Sequence, residues 1–179
     1  MSQGKLVMMA LVCASFMLGS IRAAMLASPL PALVAINSIR ILGVIFVALY
    51  AAGRLPAPFA PSAGWGDILT GVAAAPLAWA IARFGARVRM PALIWNVFGA
   101  ADLVNAIALG ALSAPGPLQV FVGPPDSSPM TALPWLIIPG FLVPILFFTH
   151  LVIFYRLFAK SEAAKPAHAW LGGGAIKLM

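Results

Sequence analysis

One stretch, Pro91 to Ala114 (PALIWNVFGAADLVNAIALGALSA), limits what this chain can become. It is long and apolar enough to cross a bilayer, yet it carries Asn96, Asp102 and Asn105. A carboxylate near the centre of a bilayer costs at least about 2.5 kcal/mol on insertion scales, so Asp102 has to face other helices and meet a partner there. The rest of the chain must supply that partner.

Composition makes the same demand of the whole molecule. The 179 residues are 63% hydrophobic and 8% charged, with a mean hydropathy of +1.03, whereas soluble domains carry roughly 25% charged residues. The sequence therefore predicts an all-α polytopic membrane protein. At about 20 residues per span, the apolar runs predict five spans, near residues 6–27, 31–53, 67–85, 91–114 and 134–158. Residues 159–179, containing Lys165, Pro166 and a GGGA run, show no helical period and are expected to form a disordered cytoplasmic tail.

Basic residues collect on cytoplasmic flanks, and with five spans they divide unevenly. Arg22, Arg83, Arg87, Arg89, Arg156, Lys160, Lys165 and Lys177 share the side of the C-terminus, against Lys5 and Arg54 on the other. The expected topology is N-terminus outside and C-terminus inside. Reading the N-terminus as a cleaved signal peptide would invert this distribution. The net charge of +7 is explained by these flanks, and no basic patch interleaved with aromatics points to nucleic acid.

Two segments rich in proline and glycine, Leu55–Gly66 and Pro115–Pro134, read as outside loops lying on the membrane surface. Phe59, Trp65, Phe121 and Trp135 fall where interfacial aromatic rings anchor spans. Asp67, in GWGDILTG, reads as the cap of the third span at the outside face, because an acidic side chain meets a helix N-terminus favourably. Asp67 and Trp65 could alternatively serve outside recognition.

Arg40 lies nine residues into the second span, about 13 Å at 1.5 Å per residue, unless that helix starts near Arg40, in which case it is an ordinary positive-inside flank. Asp102 lies at nearly the same depth in a parallel span, so each is the other's natural neutraliser. A faint echo between PALVAIN at Pro31 and PALIWN at Pro91 reads either as two parallel helical hairpins related by duplication or as chance. Asn105 shares a helix face with Asp102 at i to i+3. Asn96 is rotated about 120° from Asp102 and should bond a different neighbour. His150, the one histidine within a span, enters at a depth between Asn96 and Asp102 and is either a neutral packing residue or a proton carrier. Pro139 and Pro144 precede it and should distort its helix. The buried polar cluster is thus expected to comprise Arg40, Asn96, Asp102, Asn105 and His150.

Signatures of cofactor and catalysis are missing. Zinc needs three or four convergent ligands, and Cys13, Asp67, Asp102 and His150 sit at dissimilar depths. Neither a metal nor any other cofactor is expected, and no phosphate loop, dinucleotide fingerprint or nucleophile elbow occurs.

The series R-x-x-G (Arg40 to Gly43), L-P-x-x-F-A (Leu55 to Ala60), G-W-G-D (Gly64 to Asp67), W-N-x-x-G-x-x-D-L (Trp95 to Leu103), I-P-G-F-L-V-P (Ile138 to Pro144) and His150 resembles a family of small uncharacterised bacterial inner-membrane proteins. That resemblance implies a multi-pass protein of the inner membrane and implies no activity. Two functions stand as expectations. One is a small carrier or proton-linked binding protein, with a small molecule or a proton as ligand. The other is a non-catalytic subunit or assembly factor of a homo-oligomer or larger membrane complex. An intramembrane enzyme using Asp102 and His150 as acid and base is a further alternative.

Overall fold

A computed structural model describes residues 20–162, with side chains described from Ala23 to Phe158. Helix α1 (Ser20–Ala27) is followed by α2 (Leu30–Ala35), a 3-10 segment (Ile36–Gly43) and α3 (Val44–Ala51), the last three forming one continuous arm. Then come α4 (Phe59–Phe84), a 3-10 turn (Gly85–Val88), α5 (Arg89–Leu112), and a π turn (Ile138–Leu142) that leads into α6 (Val143–Glu162). No strand occurs among the described residues.

The structure corrects the expectation of five spans. Among the described residues, three helical stretches are long and apolar enough to cross a membrane by length and composition: Leu30–Ala51, Phe59–Leu112 and Ile138–Phe158. The third and fourth expected spans are separated only by the 3-10 turn Gly85–Val88. They form one helical run of 54 residues that turns back on itself at Gly85, whose φ of 57° suits a residue without a side chain. Residues 6–19 of the first expected span lie outside the described residues, and its residues 20–27 are helical. The orientation with the N-terminus outside rested on that count and falls with it. Of the expected tail, residues up to Glu162 are helical, and 163–179 lie outside the described residues.

Helix α4 is the centre of the bundle. Between the buried Phe59 and Ile81 at its ends, its buried positions Ala60, Ala63, Gly64, Gly66, Thr70, Gly71, Ala74 and Ala78 form a stripe of small side chains that lets the first arm and α5 approach closely. This stripe also explains why α4 begins eight residues earlier than expected. Pro61 falls in the first helical turn, where a missing N–H costs nothing, and Gly64 and Gly66 are held by packing rather than left in a loop.

Two apolar clusters divide the interior. Near the Gly85 turn, Leu33, Val34, Ala74, Ala78, Ile81, Ala92, Trp95, Val152, Ile153 and Leu157 pack together. At the opposite end, Phe46, Leu55, Phe59, Ala60, Ala63 and Met130 form the second. Phe59, expected as an interfacial anchor, is therefore core, and its ring meets that of Phe46 edge-on at 5.7 Å. Trp65 is exposed.

The long loop after α5 is tied to it. The Val120 and Phe121 N–H groups donate to the Leu112 carbonyl at 2.9 and 3.1 Å, and the Ser127 hydroxyl donates to the Gly110 carbonyl at 2.7 Å. At the other end, the Arg156 guanidinium donates to the carbonyls of Leu26 and Ser28. A cation there also meets the negative end of α1.

The exterior is apolar: Ile36, Ile39 and Leu42 on the first arm, Leu69, Val72 and Trp79 on α4, and Ile94, Val97 and Phe98 on α5 are all exposed. Arg40, Asp67 and Asp102, by contrast, lie inside.

Candidate functional site

Between the two apolar clusters lies a layer of charged and polar groups, and its hub is Arg40. A 3-10 helix has three residues per turn, so side chains at i and i+3 stack in a column. Asn37, Arg40 and Gly43 are the buried column of the Ile36–Gly43 segment, while Ile36, Ile39 and Leu42 form an exposed one. The segment thus aims Arg40 straight at α4.

Every guanidinium nitrogen is used. Nε donates to Asp67 Oδ1 of α4 at 2.6 Å. Nη2 donates to Asp102 Oδ2 of α5 at 2.5 Å, and Nη1 donates to the Gly99 carbonyl at 3.0 Å. Nη1 also lies 3.1 Å from His150 Nε2 of α6. One side chain of the first arm therefore holds α4, α5 and α6 at a single level. The Arg40 side chain is 1% exposed, against 17% for Asp67 and 7% for Asp102.

His150 is fixed from both sides. Its Nδ1 lies 2.7 Å from Asn96 Oδ1, while Asn96 Nδ2 donates to the His150 carbonyl at 3.0 Å. That second bond decides which way the amide points. An amide oxygen only accepts, so His150 Nδ1 carries a hydrogen, and a guanidinium only donates, so Nε2 carries none. The ring is the neutral Nδ1–H tautomer. Below it Trp95 packs at 5.3 Å between ring centroids and donates through Nε1 to the Thr70 carbonyl at 3.0 Å.

Close backbone approach makes the layer compact. A Cβ on Gly66 would overlap the Asp102 carboxylate, and one on Gly99 would come within 2.9 Å of His150 Nε2 and of the Thr70 side chain. Neither position admits even alanine without displacing the groups around Arg40.

The structure brings together Arg40, Asn96, Asp102 and His150. Asn105 lies apart, on the exposed face, donating to the Ser62 hydroxyl at 2.8 Å. The buried positions of α5 run Ala92, Trp95, Asn96, Gly99, Asp102 and Leu103, a stripe of alternating three- and four-residue steps whose next member is Ala106, so Asn105 falls outside it. Asp67 is a helix-interior residue within the layer and does not cap α4, whose N-cap is Pro58. The signal for this was the small-residue stripe, which continues through GWGD to Ala60. Pro139 and Pro144 distort their helix as anticipated. In an α-helical ladder the ring of Pro144 would strike the carbonyl four residues back, and the wider π turn at Ile138–Leu142 lies where that conflict arises.

Among the described residues no group of three or more His, Cys, Asp or Glu could hold a metal ion. Outside the layer two buried side-chain atoms have no hydrogen-bond partner among the described residues, Asn37 Oδ1 and Ser113 Oγ. Asp126, in the loop after α5, has its carboxyl held below the usual range by hydrogen bonds from Ser128.

Neither a curated protein nor a solved structure matches the chain. A family model does match, over residues 3–158, and the chain belongs to the family described as a domain of unknown function, DUF8737.

Proposed function

We propose that this is a multi-pass integral membrane protein of a bacterial inner membrane, working as a small proton-linked carrier or binding protein whose site is the layer around Arg40. The observation that carries this reading is the inversion of polarity. Three stretches are apolar enough to cross a bilayer, their outward faces are hydrophobic, and two carboxylates, a guanidinium and an imidazole meet at mid-height inside. Ionisable groups in such a position are costly and usually mark a path for ions, protons or polar ligands. The bacterial setting follows from the motif resemblance.

A second reading, a non-catalytic subunit or assembly factor, is favoured by one observation: each polar residue of the layer is bonded to another helix, as a purely structural lock would be. The two readings part on a deletion strain profiled for growth and metabolites across external pH. Under the carrier reading the deletion gives a pH-dependent change in a small-molecule pool that the wild-type gene restores and an Asp102→Asn gene does not. Full rescue by Asp102→Asn, with the protein retained in the membrane after alkaline extraction, would favour the structural reading. Release by alkaline extraction would remove both.

A further inference from the structure

The layer does not balance its charges. Among the described residues Arg40, from the first arm, stands alone on the positive side; on the negative side stand Asp67 from α4 and Asp102 from α5; from α6 comes His150, and α5 adds the uncharged Asn96. His150 contributes no charge, because its bonds to Asn96 and Arg40 leave Nε2 without a hydrogen. With both carboxylates ionised the layer would carry one uncompensated negative charge among side chains that are mostly buried, and an unpaired buried ion is far costlier than a paired one.

Each carboxylate also has an oxygen to spare. Arg40 engages Asp67 Oδ1 and Asp102 Oδ2, and among the described residues Asp67 Oδ2 and Asp102 Oδ1 accept no hydrogen bond. We propose that the carboxyl pair Asp67–Asp102 holds one exchangeable proton, with Arg40 as its fixed counter-charge, and that Asp67, the more exposed of the two, is the point where that proton enters and leaves. This deepens the carrier reading and rests on it for the burial of the layer, but it places the proton on the acids and leaves His150 as the neutral packing residue that was one of its two expected roles. A hard cation such as calcium or magnesium is a poorer occupant, since it takes about six or more oxygens and Asp102 is already packed against the Gly66 backbone. A proton needs no volume.

The chain suits a direct test, because it has only four Asp and Glu residues in total. Infrared spectra of the full-length protein, purified in nanodiscs and carrying carbon-13 aspartate, report protonated carboxyls directly. At neutral pH the wild type should show one protonated aspartic acid band per molecule that shifts in D2O and disappears on alkaline titration. Asp126→Asn should keep the band. Asp67→Asn and Asp102→Asn should each abolish it, since either leaves one carboxylate facing one guanidinium. A band that survives either of these two substitutions overturns the proposal, and so does its absence from the wild type at neutral pH, a reading that needs no variant to fold. Adding sodium or potassium at constant pH should leave the band in place, and its loss would identify a metal cation as the occupant and overturn the proton assignment. The deletion phenotype tests the carrier reading separately: a pH-dependent phenotype without the band would discard the shared proton and keep the carrier.

Discussion

Arg40 and Asn37 stand one 3-10 turn apart on the same face of the same helix, and both are buried. Their surroundings differ sharply. Arg40 spends all three nitrogens on groups from three other helices. Asn37 donates to the Leu33 carbonyl and the Thr149 hydroxyl at 3.0 and 3.2 Å, yet its Oδ1 has no partner among the described residues. The contrast follows from what each omission costs. A buried neutral acceptor without a bond costs about 1–3 kcal/mol, which a well-packed bundle can carry. A buried guanidinium without its carboxylates would cost several times that. The fold is therefore organised around Arg40 and merely tolerates Asn37.

The largest expected effect comes from removing the hub. Arg40→Met leaves two carboxylates facing each other, and breaking buried pairs of this kind costs about 3–5 kcal/mol, to be read as lost thermal stability of the detergent-solubilised protein. A loss below about 1 kcal/mol would place Arg40 on the same footing as Asn37 and dissolve the comparison.

Next in size is Asn96→Leu, which removes the acceptor that holds the Nδ1–H tautomer of His150. A loss of about 1–3 kcal/mol is expected, with nitrogen-15 NMR of the histidines as the sharper readout. Wild-type His150 should show its proton on Nδ1, and in Asn96→Leu that preference should weaken. A wild-type proton on Nε2 would contradict the bond to Arg40.

At Asn37 the sign itself is informative. Replacing it with leucine, of similar size, exchanges two weak bonds and one unpaired oxygen for apolar packing, so stability should change by less than about 1 kcal/mol in either direction. A loss comparable to that of Arg40→Met would mean that Asn37 is as deeply committed as the hub. The smallest effect belongs to Asp126. Its folded-state acidity is raised by Ser128, so its contribution is present above the unfolded pKa and fades as pH falls through the lower folded value. The bond is exposed, and Asp126→Asn should alter the pH profile of unfolding only on its acidic side, and slightly.

Much of the layer was legible in the sequence because charges are rare here and each needs an answer. Asp102 in an apolar frame demanded a cation, and Arg40 was the candidate at matching depth. Asn96 was expected to turn to another helix, and it bonds His150 on α6. Asp67 was misplaced for a physical reason: proline and glycine signal a loop when read locally, whereas Pro61 sits in a first turn and Gly64 and Gly66 are contact points between helices. Asn105 misled in the opposite way, since i to i+3 spacing puts two residues on neighbouring azimuths without telling where the buried stripe ends. The 3-10 winding that aims Arg40 leaves no local signature, because it arises from packing against α4. Counting spans failed at Gly85, where only the 3-10 turn Gly85–Val88 stands between the third and fourth expected spans and the two run on as one helical stretch.

The central claim is that Arg40 and its carboxylates stabilise the bundle as one coupled unit, and a double-mutant cycle tests it most directly. Thermal unfolding of detergent-solubilised wild type, Arg40→Met, Asp102→Leu and the double variant yields the coupling between the two side chains. Because Arg40→Met strands Asp102 while Asp102→Leu takes from Arg40 one of its two carboxylates, the double variant should be less destabilised than the sum of the single ones, by at least about 1 kcal/mol within the usual range for interacting residues. Additive losses, within about 0.5 kcal/mol as for independent sites, would contradict the account.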